Sequence, residues 1–150
     1  MQARMANPAL STPGAYDALQ ALAAAAGTGG LPDTLAEMVH LRASQINGCS
    51  VCVHMHARGL KKAGESDERI WAVAAWQDAP FFTDAERAAL ALTEAVTRIS
   101  DRSDPVPDEI YDEAARHFGE PVLASLILHI AMINTWNRLN VTTRQVAGKW

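Results

Sequence analysis

Residues 37–56 read EMVHLRASQINGCSVCVHMH, and this stretch holds both cysteines of a 150-residue chain. Leu35, Met38, Val39, Leu41 and Ile46 fall at helical spacing and form one apolar stripe. Asn47-Gly48 then breaks the helix. The pattern resumes at about Cys49 and runs to Lys61-Lys62, cations that suit the negative end of a helix, with Gly64 as terminator. So short a break between two helices predicts an antiparallel hairpin. At 3.6 residues per turn, Cys49, Cys52 and His56 fall within about an 80° sector of the second helix. One face therefore presents two thiols and an imidazole where unpaired N–H groups favour a thiolate.

Outward from the hairpin, the helical period covers most of the chain, and no alternating run of β-branched and aromatic residues interrupts it. Before the hairpin, Tyr16 to Ala26 is an alanine-rich helix stopped by Gly27-Thr28-Gly29-Gly30, and its weak polarity predicts a packed surface. The first hairpin helix starts near Pro32 to Thr34, which places Glu37 in its first turn. After the hairpin, Ser66 caps a helix through about Trp76, and Thr83 with Glu86 makes a capping box for another through about Ile99. Pro107 opens a helix to Phe118-Gly119, and Pro121 opens the last, to about Leu139. The fold class expected is all-α, about seven helices in a single domain spanning 1–150. The polar stretch Ser100 to Val106 is too short to divide it.

In the last helix VLASLILHIAMI is apolar nearly all round, but His129, Asn134 and Asn137 interrupt it before the ~20 residues a membrane span needs. A buried central or subunit-interface helix is expected instead. Hydrophobic residues at 49% and charged residues at 20% describe a globular, soluble chain, and a net charge of −4 argues against a nucleic-acid or anionic-membrane surface. The opening MQARMANPAL has no apolar run of the secretory kind, so the compartment expected is the cytoplasm. There a CxxC pair stays reduced unless it turns over, which leaves redox chemistry or metal binding.

A cysteine of ordinary pKa ~8.5 is shifted toward thiolate by a helix N-terminus or a neighbouring imidazolium. The thiolate attacks a peroxide oxygen or a disulfide, and a second cysteine resolves the sulfenic acid. Three-residue spacing is compatible with disulfide closure. Glu37 reaches the thiol face only if the hairpin packs, in which case it orients His56 or takes its proton, completing a relay of nucleophile, base and orienter. Thr34-x-x-Glu37 is also a capping box, and on the residues alone the cap is the commoner explanation. The thiols have two other readings. They can be small buried hydrophobes, or join His56 and Glu37 as zinc ligands, although a chain of this length needs no metal to fold. His54 points away from the thiol sector, toward surface or interface. His40, His117 and His129 have no partner at ligand spacing and read as packing or solvent-facing groups.

Glu37, eleven residues, Cys49-x-x-Cys52, three residues, His56: this pattern resembles the core motif of the AhpD-like alkylhydroperoxidases within the carboxymuconolactone decarboxylase superfamily, over a core of about residues 31–99. The resemblance implies an AhpD-like helical fold assembled as a homotrimer or a homohexamer built on it, and a thiol peroxidase acting on organic hydroperoxides or hydrogen peroxide. It implies that Cys52 is the peroxidatic cysteine, Cys49 the resolving one, and Glu37 with His56 the proton relay. No bound cofactor is implied; electrons come from an external dithiol, lipoyl-bearing or thioredoxin-like. Well-known members carry a histidine between the cysteines where this chain has Ser50-Val51. Decarboxylase members lack the cysteine pair, which disfavours lactone decarboxylation. A thiol/disulfide sensor without fast turnover is the alternative function.

Overall fold

The computed structural model describes residues 2–149. Its helices are α1 (Pro8–Ser11), α2 (Ala15–Gly27), α3 (Asp33–Asn47), α4 (Ser50–Lys62), α5 (Asp67–Ala72), α6 (Asp84–Thr97), α7 (Asp108–His117) and α8 (Glu120–Thr143), with one 3₁₀ turn at Val73–Ala75 after α5. No strand occurs among the described residues. The all-α expectation holds, with one helix more than the seven expected. The extra one, α1, is a single turn capped by the Asn7 side chain on the Ala9 amide, too short to show a period.

The molecule is organised around α3, because its sequence is apolar on three sides. Leu35, Ala36 and Val39 join Leu92 of α6, Phe118 at the end of α7 and Leu126 of α8 in one cluster. Met38 and Leu41 face Leu60, Ile70, Trp76 and Leu90 in a second. Ala43 meets Cys49, Val51, Cys52 and Ile133 in a third. Side chains such as Val39, Leu60, Leu90 and Ile130 are fully buried, each stabilising the fold by roughly 2 kcal/mol. Arg42 of α3 donates from Nε to Glu94 Oε1 at 2.8 Å, and Trp76 Nε1 donates to the same oxygen at 2.7 Å, so polar contacts lock the α3–α6 seam as well.

Local signals in the sequence set most helix ends. Thr83 and Glu86 form the capping box expected at the start of α6, and Ser66 caps α5 on the Arg69 amide. At the start of α3 the expected box is absent. Pro32 is the N-cap, the acidic residue of the first turn is Asp33, and Glu37 lies one turn further in with its carboxylate directed elsewhere. The alanine-rich α2 packs on α8, yet Ala26 is its one buried residue, so much of the surface predicted to be packed is open in the single chain. Helix α8 continues to Thr143, beyond the expected Leu139, and buries one stripe including Leu126, His129, Ile130, Ile133, Asn134 and Asn137. Among the described residues no helix is long and apolar enough to cross a membrane.

Candidate functional site

The α3–α4 turn is fixed by its backbone before any side chain is considered. Gly48 sits at φ 67°, a left-handed conformation that glycine adopts without steric cost. The Gly48 amide then donates to Gln45 O at 3.3 Å and the Cys49 amide to Ser44 O at 3.0 Å, closing the end of α3. Buried amides hold the turn against α8: Asn47 Nδ2 donates to Asn134 Oδ1 at 2.9 Å and to Asn137 Oδ1 at 2.8 Å, and Asn137 Nδ2 donates to Ser44 Oγ at 3.0 Å. Cys49 is thereby presented as the N-cap of α4, where its Sγ accepts the Cys52 amide at 3.3 Å. The two cysteines are joined as a disulfide with Cα atoms 5.4 Å apart, and both are almost fully buried.

Glu37 crosses from α3 to α4 and accepts from His56 Nδ1 at 2.9 Å. Gly59, one turn past His56, makes the crossing possible: a Cβ there would lie 2.5 Å from Glu37 Oε2 and 2.9 Å from its Cδ. With Nδ1–H directed at the carboxylate, neutral His56 keeps its lone pair on Nε2, the arrangement of a general base with an orienter.

Two further histidines extend this pair inward. The His40 ring lies against His56 at a centroid distance of 4.8 Å, and His40 Nε2 is 3.1 Å from His129 Nδ1. His40 Nδ1 is buried without a hydrogen-bond partner among the described residues. The less costly tautomer leaves a bare lone pair there and places the proton on Nε2, donated to His129. Burial, and then the neighbouring His56 and His129, hold His40 well below the ordinary histidine pKa. Burial also lowers His129, against the opposing pull of the Asp33 and Glu37 carboxylates. Glu37, His40 and His56 offer donor atoms all within 4.8 Å of one another, a spacing suited to a cation. Within the cluster Glu37 pairs with His56 and His40 with His129, which leaves His40 Nδ1 unpartnered among the described residues. As a disulfide, Cys49 and Cys52 offer a metal no thiolate, so the four-residue zinc set with His56 and Glu37 belongs to the reduced chain alone.

Two cavities flank the disulfide. One of about 590 Å³ is lined by Cys52, His40, His56 and apolar groups including Met132, Ile133 and Trp136. The other, about 500 Å³, is lined by Cys49, Ser50, Arg144 and Gln145 among others. Asn140 borders both, and its Nδ2 donates to Cys52 Sγ at 3.3 Å.

All four residues of the sequence motif therefore gather in one place. The hairpin that carries them was legible in the spacing; His40, His129, Asn140 and Gly59 as site residues were not. His40 did leave a sign, since it stands three residues after Glu37 and thus on nearly the same face of α3. Gly59, a glycine inside an otherwise regular helix, left another. His129 and Asn140 come from α8, and no local pattern announces that meeting.

Residues 13–95 match the sequence profile of the carboxymuconolactone decarboxylase family. The uncharacterised protein YdfG of Bacillus subtilis is 39% identical over 108 residues, 72% of each chain. Uncharacterised YnjA of Escherichia coli is 30% identical over 110 residues, 73% of this chain and 59% of its own. Among solved structures, a protein of unknown function from Agrobacterium tumefaciens, suggested to be the antioxidant defence protein AhpD, superposes with a TM-score of 0.91 at 33% identity over 99% of this chain and all of that one. The debrominase Bmp8 with bound 2,3,4-tribromopyrrole shares the fold at a TM-score of 0.78, with 22% identity over 89% of this chain and 70% of its own.

Proposed function

Since the chain belongs to the carboxymuconolactone decarboxylase family, we propose that it is an AhpD-like thiol peroxidase in which Cys52 attacks the peroxide and Cys49 resolves the product. One observation carries this reading: Cys52 and the Glu37-paired His56 border the same cavity, while Cys49 borders the other. In the reduced enzyme His56 takes the Cys52 thiol proton and Glu37 holds the resulting imidazolium in place. The Cys52 thiolate attacks the terminal oxygen of ROOH; the S–O bond forms as the O–O bond breaks, leaving the Cys52 sulfenic acid, RO⁻ departs, and His56 returns the proton to give ROH. Cys49 then attacks the Cys52 sulfenic acid, forming the disulfide and releasing water. The apolar lining beside Cys52 suits an organic hydroperoxide.

An external dithiol completes the cycle. The cavity at Cys49, bordered by the Arg144 cation, is the approach for a lipoyl-bearing or thioredoxin-like carrier thiolate. A homotrimer or homohexamer is the assembly proposed, covering the open side of α2 and exposed apolar groups such as Trp71 and Leu10.

The test is cumene hydroperoxide consumption driven by dihydrolipoamide. Wild type turns over, Cys52→Ser does not, and Glu37→Gln is slower by about a hundredfold. Turnover that survives Cys52→Ser removes Cys52 from the chemistry. Negligible wild-type turnover with reversible disulfide formation identifies a thiol/disulfide sensor instead.

A further inference from the structure

Among the described residues, Asn140 is the one side chain outside the cysteine motif for which a hydrogen bond to the Cys52 sulfur is seen, 3.3 Å from Nδ2 to Sγ. The direction of that bond follows from a fixed starting point. A backbone N–H can only donate, so the Ala9 amide, 2.9 Å from Asn7 Oδ1, decides which way the Asn7 amide faces. Asn7 Nδ2 is then turned to Asn140 Oδ1 at 2.7 Å. With its oxygen so occupied, Asn140 has only its NH₂ group to offer the sulfur. The chain of three bonds runs from a helix cap through two carboxamides to the redox pair.

The segment that supplies Asn7 is itself tied down. Arg4 donates its amide to Thr143 O at 2.9 Å, and Gln145 Nε2 donates to Met5 O at 2.9 Å. The N-terminal turn is thus bound to the end of α8, the helix that carries Asn140. This gives the otherwise unexplained single-turn α1 a task.

We propose that Asn140 is a catalytic residue that stabilises the Cys52 thiolate by hydrogen bonding to its sulfur, and that Asn7 is the positioning residue that fixes its orientation. A hydrogen bond to a charged sulfur is stronger than one to a disulfide sulfur, so the interaction favours the states in which Cys52 carries charge. There are two such states in the cycle. In the oxidative half the thiolate is the nucleophile that takes oxygen from the peroxide. In the reductive half a carrier thiolate forms a bond to Cys49 sulfur, the disulfide breaks, and Cys52 departs with the electron pair as the leaving group. The second carrier thiol then displaces Cys49, leaving both cysteines reduced and the carrier oxidised. Lowering the basicity of the leaving sulfur speeds this exchange.

This inference rests on Cys52 being the reacting thiol, as proposed above, but not on the identity of the oxidant. Its test is the pH dependence of iodoacetamide alkylation of the reduced protein, read at Cys52 and Cys49 separately by peptide mass spectrometry. Asn140→Leu is expected to move the Cys52 profile to higher pH by about one unit, a tenfold change in thiolate at a given pH below the transition. Asn140→Asp, nearly isosteric, replaces the donor by a carboxylate and is expected to move it at least as far, which retains the test should the leucine variant fail to fold. Asn7→Ala is expected to produce a smaller shift in the same direction, with the Cys49 profile unchanged. A Cys52 profile that is the same in wild type and the folded Asn140→Asp variant overturns the proposal, as does an equal shift at both cysteines. Absence of peroxide turnover in wild type together with the Cys52 shift would overturn the peroxidase reading and leave the role of Asn140 standing.

Discussion

Gly59 shows how one missing methyl group shapes the site. Within α4 a change to alanine should raise helix stability by about 1 kcal/mol on propensity alone, yet the new Cβ would meet the Glu37 carboxylate at 2.5 Å. Gly59→Ala is therefore expected to retain or exceed wild-type thermal stability while losing peroxidase rate by about tenfold or more, toward the level of Glu37→Gln, since orienting a general base is worth factors of this order. A variant with full activity would mean that the Glu37–His56 contact is dispensable. Glu37 illustrates the limit of reading side-chain roles from spacing. Thr34-x-x-Glu37 fits a helix cap as well as a catalytic carboxylate, and only the packing of α4 across α3 distinguishes them, by drawing the carboxylate to His56 Nδ1. Cys49, Cys52 and His56 were easier to place because all three belong to one short helix start, where local geometry suffices.

Among the elements, the α3–α4 hairpin is what brings the chemistry together, and buried amides keep it in register with α8. Removing Asn137 takes one hydrogen bond from Asn47 Nδ2, which keeps Asn134 Oδ1, and one from Ser44 Oγ, which keeps its bond to His40 O. Asn137→Leu is expected to destabilise the protein by about 0.5–1.5 kcal/mol for each hydrogen bond so lost, read as a lower urea midpoint at unchanged slope. An unchanged midpoint would show that water or rearrangement replaces them. Helix ends with strong local signals, such as Thr83 and Glu86 at α6, were readable in the sequence. The end of α8 was not. Of Asn140 to Thr143 only Val141 is apolar, and the N-terminal segment binds over this last turn, through Arg4 to Thr143 O and Asn7 to Asn140 Oδ1. Such long-range pairings leave no trace in a window of neighbouring residues.

At the scale of the whole molecule, the buried histidines set the response to acid. His40 is held below its ordinary value of 6.5 in the folded chain, whereas the unfolded chain takes up its proton near 6.5. The unfolded state therefore binds more protons as pH falls, and stability present above pH 6.5 is lost below it, with a slope approaching about 1.4 kcal/mol per pH unit for His40. His129, lowered in the same direction, adds to the loss. Glu86 acts in a separate window: burial opposes its ionisation, but Arg69 prevails and holds its carboxyl below 4.5, so that its contribution is lost only under more acidic conditions. Urea midpoints measured between pH 7.5 and 5 should fall steadily in wild type and less steeply in His40→Gln; parallel profiles would assign the loss elsewhere. Assembly is open to a direct check as well. Exposed apolar groups on several helices predict an oligomer by light scattering at micromolar concentration, and a stable monomer would contradict it. Most decisive for the chemistry is intact-protein mass spectrometry of the reduced chain after one equivalent of cumene hydroperoxide, run beside Cys49→Ser with dimedone present. The expected result is loss of two hydrogens in wild type and a dimedone adduct confined to Cys52 in the variant; unmodified thiols in both would contradict the account.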